Sequence, residues 1–249
     1  MVTVHLDGRL GNQMFQVAAA AAHADYLGTE WWACEIHESG TPLRAAFTNL
    51  ASRILPCGAV HTAETVAWRE PHFAYAAIPT NVTHLIGYFQ SARYWVGREK
   101  LIRSLFPLRD GVCRQYGPQP IVAHVRRGDY LQKPDYHVPL PIEYYRNAFL
   151  AADAGPDVPV IVHTDDPEWC RDQFGASVTI KSPPHATVTE ALWDFATAGA
   201  VVIANSSLSW WGAYLGQCPR VFAPSRWFGP KGPQDTQDLL PRDWTVIPV

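Results

Sequence analysis

The sequence contains no Asp-x-Asp, no Cys-x-x-Cys and no phosphate-loop lysine motif. The first absence removes the usual ligand pair for a divalent cation on a sugar nucleotide; the last disfavours a nucleoside-phosphate hydrolase. Its five cysteines, Cys34, Cys57, Cys113, Cys170 and Cys218, are odd in number and far apart. That argues against a disulfide framework or a zinc site, and it fits a reducing compartment. No apolar run approaches the roughly 18 residues of a membrane span. Val17–Ala22 is apolar but short. The opening stretch has no basic segment, and Asp7 and Gly8 fall where a signal peptide would be apolar, so no secretory signal is expected. There is no basic surplus either: the formal net charge is -3. General polyanion binding is disfavoured, and no nucleic-acid partner is expected. No repeat or low-complexity segment is visible.

What is present is the raw material of an α/β protein. The 249 residues, 47% of them hydrophobic, suffice for a sizeable core. Val2–Leu6 reads as a buried strand, residues 7–12 as a glycine-punctuated loop, and residues 13–27 as an alanine-rich helix stopped by Gly28. Residues 29–80 are broken by prolines. Helices are expected around 43–54 and 92–104, and a strand over 83–89. Residues 111–120, with two glycines and two prolines, read as a linker between domains at 1–112 and 118–249. Beyond it the alternation becomes regular. Strands are expected at 121–125, 158–163, 178–181, 200–204 and 220–223, with helices at 141–152, 167–174, 188–198 and 207–215. Such alternation implies a parallel sheet covered on both faces.

Three segments share one design, a strand emptying into a polar loop before a helix, where ligands bind in open parallel sheets. In Leu6–Gln13 the helix points free N–H groups into a glycine loop, which suits an anion; a simple tight turn explains the glycines equally. In Ile121–Tyr130 an apolar strand ends in Arg126 and Arg127, whose mutual repulsion calls for an anion or a carboxylate between them. Arginine's planar fork suits phosphate. Asp129 is expected to brace one arginine and leave the other for ligand; Arg127 is expected to pair partly with Asp129 or other protein groups. A surface salt-bridge cluster is the plain alternative; an Arg-Gly-Asp adhesion tripeptide is disfavoured by the rigid strand before it. In Val201–Ala213, Asn205, Ser206 and Ser207 stand at a helix N-terminus, where they cap the helix and also offer donors to phosphate. Trp210 and Trp211 read as core or domain-contact residues rather than ligand platforms.

The trio GRLGNQMFQ, HVRRGDY and NSSLSWWGAYL resembles the α-1,2-fucosyltransferase family, inverting enzymes that use GDP-fucose. His-x-Arg-Arg and Thr164-Asp165-Asp166-Pro167 also resemble the wider fucosyltransferase superfamily. The resemblance runs from Gly8 to Pro224 and is thin between 29 and 110. It implies a GT-B fold of two Rossmann-like domains with parallel sheets, the acceptor-side domain trimmed in so short a chain. It implies that Arg126 holds the β-phosphate, supported by His124 and Arg127, and that Asn205, Ser206 and Ser207 contact the diphosphate or shape its loop. Asp165 would lie near the nucleoside, and Gly11 and Asn12 would close over the diphosphate and fucose. An aspartate expected to read guanine is replaced by Ala191. Either Glu190 takes over that task, with Asp194 one turn on as the alternative carboxylate, or guanine selectivity is weaker.

The chemistry is coherent without the family. Cleaving a sugar–phosphate bond builds negative charge on the departing diphosphate, and arginine and helix N-termini can stabilise it as preorganised electrostatics. No metal or other cofactor is expected; Arg126, Asn12 and Asp129 are the expected catalytic residues. Single inversion needs a base or a well-placed acceptor. Asp7, Asp129 and His137 are the candidates, none singled out. The expected activity is transfer of L-fucose from GDP-L-fucose to a carbohydrate hydroxyl, with galactoside O-2 the first choice. Another linkage, another GDP-sugar and a non-catalytic sugar-nucleotide or glycan-binding protein stand as alternatives. The expected setting is cytoplasmic, with peripheral association to a glycolipid acceptor left open.

Overall fold

The computed structural model describes residues 1–35, 42–56, 65–107, 119–155 and 157–249. The chain divides into two compact units, Met1–Pro107 with Asp235–Pro241, and Leu108–Gln234 with Arg242–Val249. Most of the expected linker, the 112–118 boundary, Cys57 and Cys113 lie outside the described residues.

The first unit is a parallel sheet of five strands in the order β3-β2-β1-β5-β4. These are β1 (Val2–Leu6), β2 (Trp31–Glu35), β3 (Ile54–Pro56), β4 (Ala67–Arg69) and β5 (His84–Ile86). Helix α1 (Leu10–Tyr26) packs against β1 and β2 as well as the short helices α2 (Pro42–Ala46) and α3 (Glu99–Leu105). Its alanine run is buried, because a helix covered on several sides needs small side chains to let its neighbours approach. Two expectations are corrected here. Helix α1 begins at Leu10, so Gly11 and Asn12 belong to its first turn rather than to the loop. Gly8 alone makes the turn, at φ +75°, and a Cβ there would sit 2.6 Å from Asn12 Nδ2. The single helices expected at 43–54 and 92–104 are each split into a 3-10 turn (Thr48–Arg53, Ala92–Trp95) and a short α-helix. Strands β2, β3 and β4 were not anticipated; β3 and β4 are too short to show a period.

The second unit is a parallel sheet of six strands in the order β11-β10-β9-β6-β7-β8. The strands are β6 (Ile121–Val125), β7 (Val160–Thr164), β8 (Thr179–Lys181), β9 (Ala200–Val202), β10 (Val221–Pro224) and β11 (Thr245–Ile247). Helices α4 (Ile142–Ala151), α5 (Pro167–Phe174), α6 (Val188–Thr197) and α7 (Ser207–Gly216) complete it. Apart from β11 and the 3-10 turn Gly128–Gln132, these elements follow the expected alternation within a few residues. Ile121, Ala123 and Val125 of β6 meet Tyr144, Tyr145 and Ala148 of α4 in one apolar cluster. Tyr144 is fully buried, and its hydroxyl donates to the Ile203 carbonyl at 2.6 Å. Trp210 and Trp211 are fully buried as well.

Strand order locates the crevices. The second sheet grows from β6 to β7 and β8, then reverses to β9, so its switch point lies between β6 and β9. The first sheet switches between β1 and β5. Ligands of open parallel sheets bind at such points, beyond the carboxyl ends of the strands.

Candidate active site

The arginine loop leaves β6 and the serine loop leaves β9, so the second unit brings both to its switch point. Arg126 is held between two carboxylates: Nη2 lies 2.5 Å from Asp129 and Nη1 2.6 Å from Asp165. Its side chain is 17% exposed, and these contacts engage two of its five N–H donors. Arg127 turns the other way. Its Nε donates to Asp166 at 3.0 Å, and its guanidinium lies 4.2 Å from the centre of the Trp169 ring. Of the partners expected for Arg127, Asp129 instead braces Arg126, and other protein groups, Asp166 and Trp169, take its place. The reason is register, since β6 pairs with β7 and sets the Asp165–Asp166 pair beside the arginine loop.

Asp165 organises this loop. Its Oδ1 accepts from the backbone N–H of Arg127 and of Gly128, at 2.9 and 3.2 Å, while Oδ2 faces Arg126. A Cβ at Gly128 would stand 2.7 Å from that carboxylate, so the close approach requires glycine. Asp165 thus has a scaffolding task within the loop. Asp166 also caps α5 through the Trp169 N–H. From sequence, Asp166 stands out only within the Thr164–Pro167 motif, and Trp169 does not stand out. The Asp-Pro helix start signals the cap, but nothing in the sequence puts Trp169 against Arg127.

On the β9 side, Ser206 is the N-cap of α7 without a side-chain capping bond, and no acid occupies the first turn. The helix therefore presents an N-terminus suited to negative charge. Asn205 is 2% exposed. Its Nδ2 donates to the carbonyls of Val138 and Trp227, and its own carbonyl accepts from the Tyr130 hydroxyl at 2.9 Å. It ties loops together. His124 is buried; Nδ1 lies 3.0 Å from Ser209 Oγ, and burial pushes its pKa down to about 4. It is neutral near pH 7 and supports α7 from behind.

The three positions considered for guanine differ in their surroundings. Ala191 is buried. Glu190 forms a reciprocal capping box with Thr187, its Oε2 accepting from the Thr187 N–H at 2.7 Å. Those hydrogen bonds hold its carboxyl below the ordinary value. Asp194 lies 2.7 Å from His163 Nε2 and 2.6 Å from Lys181 Nζ. Burial raises its pKa, but the two hydrogen bonds outweigh that and leave it lowered.

In the first unit, the β1 and β5 ends carry a net of mostly neutral groups. Asp7 accepts from the Gly8 N–H at 2.7 Å and from the Tyr88 hydroxyl at 3.1 Å. Gln16 bridges the Asp7 N–H and the Gly87 carbonyl, and Gln90 donates to Asn12 Oδ1 at 3.0 Å. Glu70 accepts from the N–H groups of Tyr88 and Phe89, fixing a turn in which Phe89 has φ 53°. Burial raises the Glu70 pKa. Among the described residues, no cluster of His, Cys, Asp and Glu is arranged to hold a metal ion, and no helix is long and apolar enough to cross a membrane.

The sequence model of glycosyl transferase family 11 matches residues 1–227. The chain belongs to this family. A family relative from Lagothrix lagotricha, galactoside alpha-(1,2)-fucosyltransferase 1, is 30% identical over 200 residues, covering 70% of this chain and 53% of the relative. An alpha-1,2-colitosyltransferase from Escherichia coli is 27% identical over 179 residues, covering 65% and 61%. The chain thus spans a little over half the length of the curated relatives it matches. The crystal structure of fucosyltransferase NodZ from Bradyrhizobium aligns with a TM-score of 0.53 at 13% identity, covering 88% of this chain and 94% of that one. At that identity the likeness concerns the fold. The family 11 chain has two parallel-sheet α/β units of the GT-B class.

Proposed function

We propose that this chain transfers L-fucose from GDP-L-fucose to a galactoside hydroxyl, with inversion, in α-1,2 linkage and without a metal. The observation that carries the reading is the pairing of Arg126 with the α7 N-terminus at the switch point of the second sheet. A diphosphate held there meets a fixed cation and a helix dipole. Both act most strongly as the sugar–oxygen bond breaks and charge gathers on the leaving group. Asp129, the more exposed of Arg126's two partners at 45%, yields one edge of the guanidinium to phosphate, while Asp165 keeps the other in place. The named activities of the relatives support the linkage and sugar class in this reading.

Colitosyl transfer is the second reading, favoured by the relative that carries that name. GDP release is measured with GDP-fucose, with and without lactose or N-acetyllactosamine, followed by linkage analysis of the product. Acceptor-dependent release with an α-1,2 product is the expected result, unchanged by EDTA. Release without acceptor marks a hydrolase, and binding without turnover marks a binding protein. Loss in EDTA restored by Mn²⁺ removes the metal-free mechanism. Turnover with a colitosyl donor alone selects the second reading.

A further inference from the structure

The sequence leaves three candidates for the group that receives the acceptor proton, and the structure treats them differently. Asp129 is tied to Arg126. Both oxygens of Asp7 already accept hydrogen bonds. His137 is in another situation. Its ring stacks on Tyr130 with centroids 4.4 Å apart and planes 9° apart, meets Tyr136 edge-on at 4.8 Å, and has Phe228 at 6.3 Å. Its backbone is pinned by a bridge to Phe228 and by a bond from its N–H to the Lys133 carbonyl. Neither ring nitrogen has a hydrogen-bond partner among the described residues, whereas His23, His72, His84, His124 and His163 each have one. The imidazole is fixed by aromatic packing and chemically uncommitted.

Its platform joins it to the reaction centre. Tyr130 is anchored by its hydroxyl on Asn205 at the start of the α7 loop, and the Arg126 guanidinium lies 5.6 Å from its ring centre. One phenol ring therefore touches both the leaving-group arginine and the imidazole. We propose that His137 is the general base that takes the proton of the acceptor hydroxyl. This rests on the reading of the chain as a glycosyltransferase. The acceptor oxygen forms its bond to the anomeric carbon while the bond from that carbon to the diphosphate oxygen breaks. The electron pair leaves with the diphosphate, the hydroxyl proton passes to a ring nitrogen of His137, and the imidazolium later returns it to solvent.

The electrostatics agree. Burial lowers the His137 pKa, so the ring is ready to accept a proton near neutral pH; Asp129 opposes that shift, and Lys133 and Arg126 add to it. Asp129 thereby favours the imidazolium once it forms. Asp135 and Lys231, on the flanking turns, pair with each other at 2.7 Å. Phe228 and Tyr136 add no charge.

The test compares wild type with His137→Phe, which keeps the stack, and His137→Gln, which keeps a polar group. Transfer from GDP-fucose to lactose is followed from pH 5 to 9, and GDP affinity is measured by calorimetry. The expected result is a fall in kcat of about 10²–10⁴ in both variants, loss of the acidic limb of the pH profile, and GDP affinity within about threefold of wild type. Either variant keeping more than about a third of the wild-type rate overturns the proposal. So does an unchanged acidic limb, or a fall in GDP affinity in both variants that matches the fall in rate. A wild-type enzyme that transfers normally beside unimpaired variants refutes this inference alone. A wild type that transfers no sugar refutes the functional reading, and the inference with it.

Discussion

The two crevices are built from the same strand–loop–helix design with opposite chemistry. At the β6/β9 switch point, Arg126 and Arg127 are matched by Asp129, Asp165 and Asp166, so the loop is a lattice of full charges. At the β1/β5 switch point, glutamines, an asparagine, a tyrosine and backbone groups do the joining, around Asp7 and the half-buried Glu70. A charged lattice exchanges one partner for an incoming phosphate at modest net cost, because the arginine is never left without an anion. A neutral net instead fixes shape and presents directional donors and acceptors, which suits sugar hydroxyls. On the proposed function, leaving-group stabilisation falls to the second unit and shape selection to the first.

The sharpest way to break that contrast is Arg126→Lys. Lysine keeps the charge and loses the fork. The expected loss in kcat at saturating GDP-fucose is about 10²–10³, or about 2.7–4 kcal/mol, with thermal unfolding close to wild type. Arg127→Lys should be milder, because that guanidinium is already tied to Asp166 and stacked on Trp169. A near-normal Arg126→Lys enzyme, or a larger loss at Arg127, would reverse the roles.

Acid sharpens the comparison next. His124 is neutral in the fold, its pKa pushed by burial from 6.5 to about 4. Between those values the unfolded chain binds the extra proton, so the contribution is complete above pH 6.5 and is lost as pH falls towards 4. The full shift corresponds to roughly 3 kcal/mol. Glu70 in the first unit has the opposite sign: its raised pKa makes protonation favour the fold. On acidification from pH 7 to 5, amides of β6 and α7 should lose hydrogen-exchange protection before those of β1 and β5. His124→Gln should narrow the gap, and equal loss in both units would contradict the account.

Gly8→Ala probes the neutral net. The residue sits at φ +75° and its Cβ would press on Asn12 Nδ2. A cost of about 1–3 kcal/mol is expected from strain of this kind, read as a lower Tm and a raised KM for acceptor, while affinity for GDP changes little. A fall in GDP affinity as large as that in Arg126→Lys would show that the first loop also carries the diphosphate, as the family resemblance implies for Gly11 and Asn12.

The smallest effect concerns Glu190. If the capping box is its whole task, Glu190→Gln leaves GDP affinity unchanged and lowers Tm slightly, while Thr187→Ala costs about 1 kcal/mol. Weakened GDP binding in Glu190→Gln, without weaker binding of inorganic phosphate, would restore the guanine role. The same result in Asp194→Asn instead would move that role to Asp194.

Much of this protein is legible without coordinates. The alternating elements after residue 120, the three strand-end loops, the buried tryptophans and the family follow from local signals: apolar runs, helix stops, and polar residues at strand ends. Those signals act over a few residues. They do not reach the three-residue strands of the first unit, and they misplaced the start of α1 because Gly11 and Asn12 look like loop residues until Gly8 is seen to make the turn alone. Only the tertiary structure decided which carboxylate holds which arginine. It also bonded His124 to Ser209, 85 residues away, turned Glu190 back on its own helix, and left the His137 ring uncommitted among aromatic rings. Such pairings depend on strand order and register, which arise from the packing of the whole sheet.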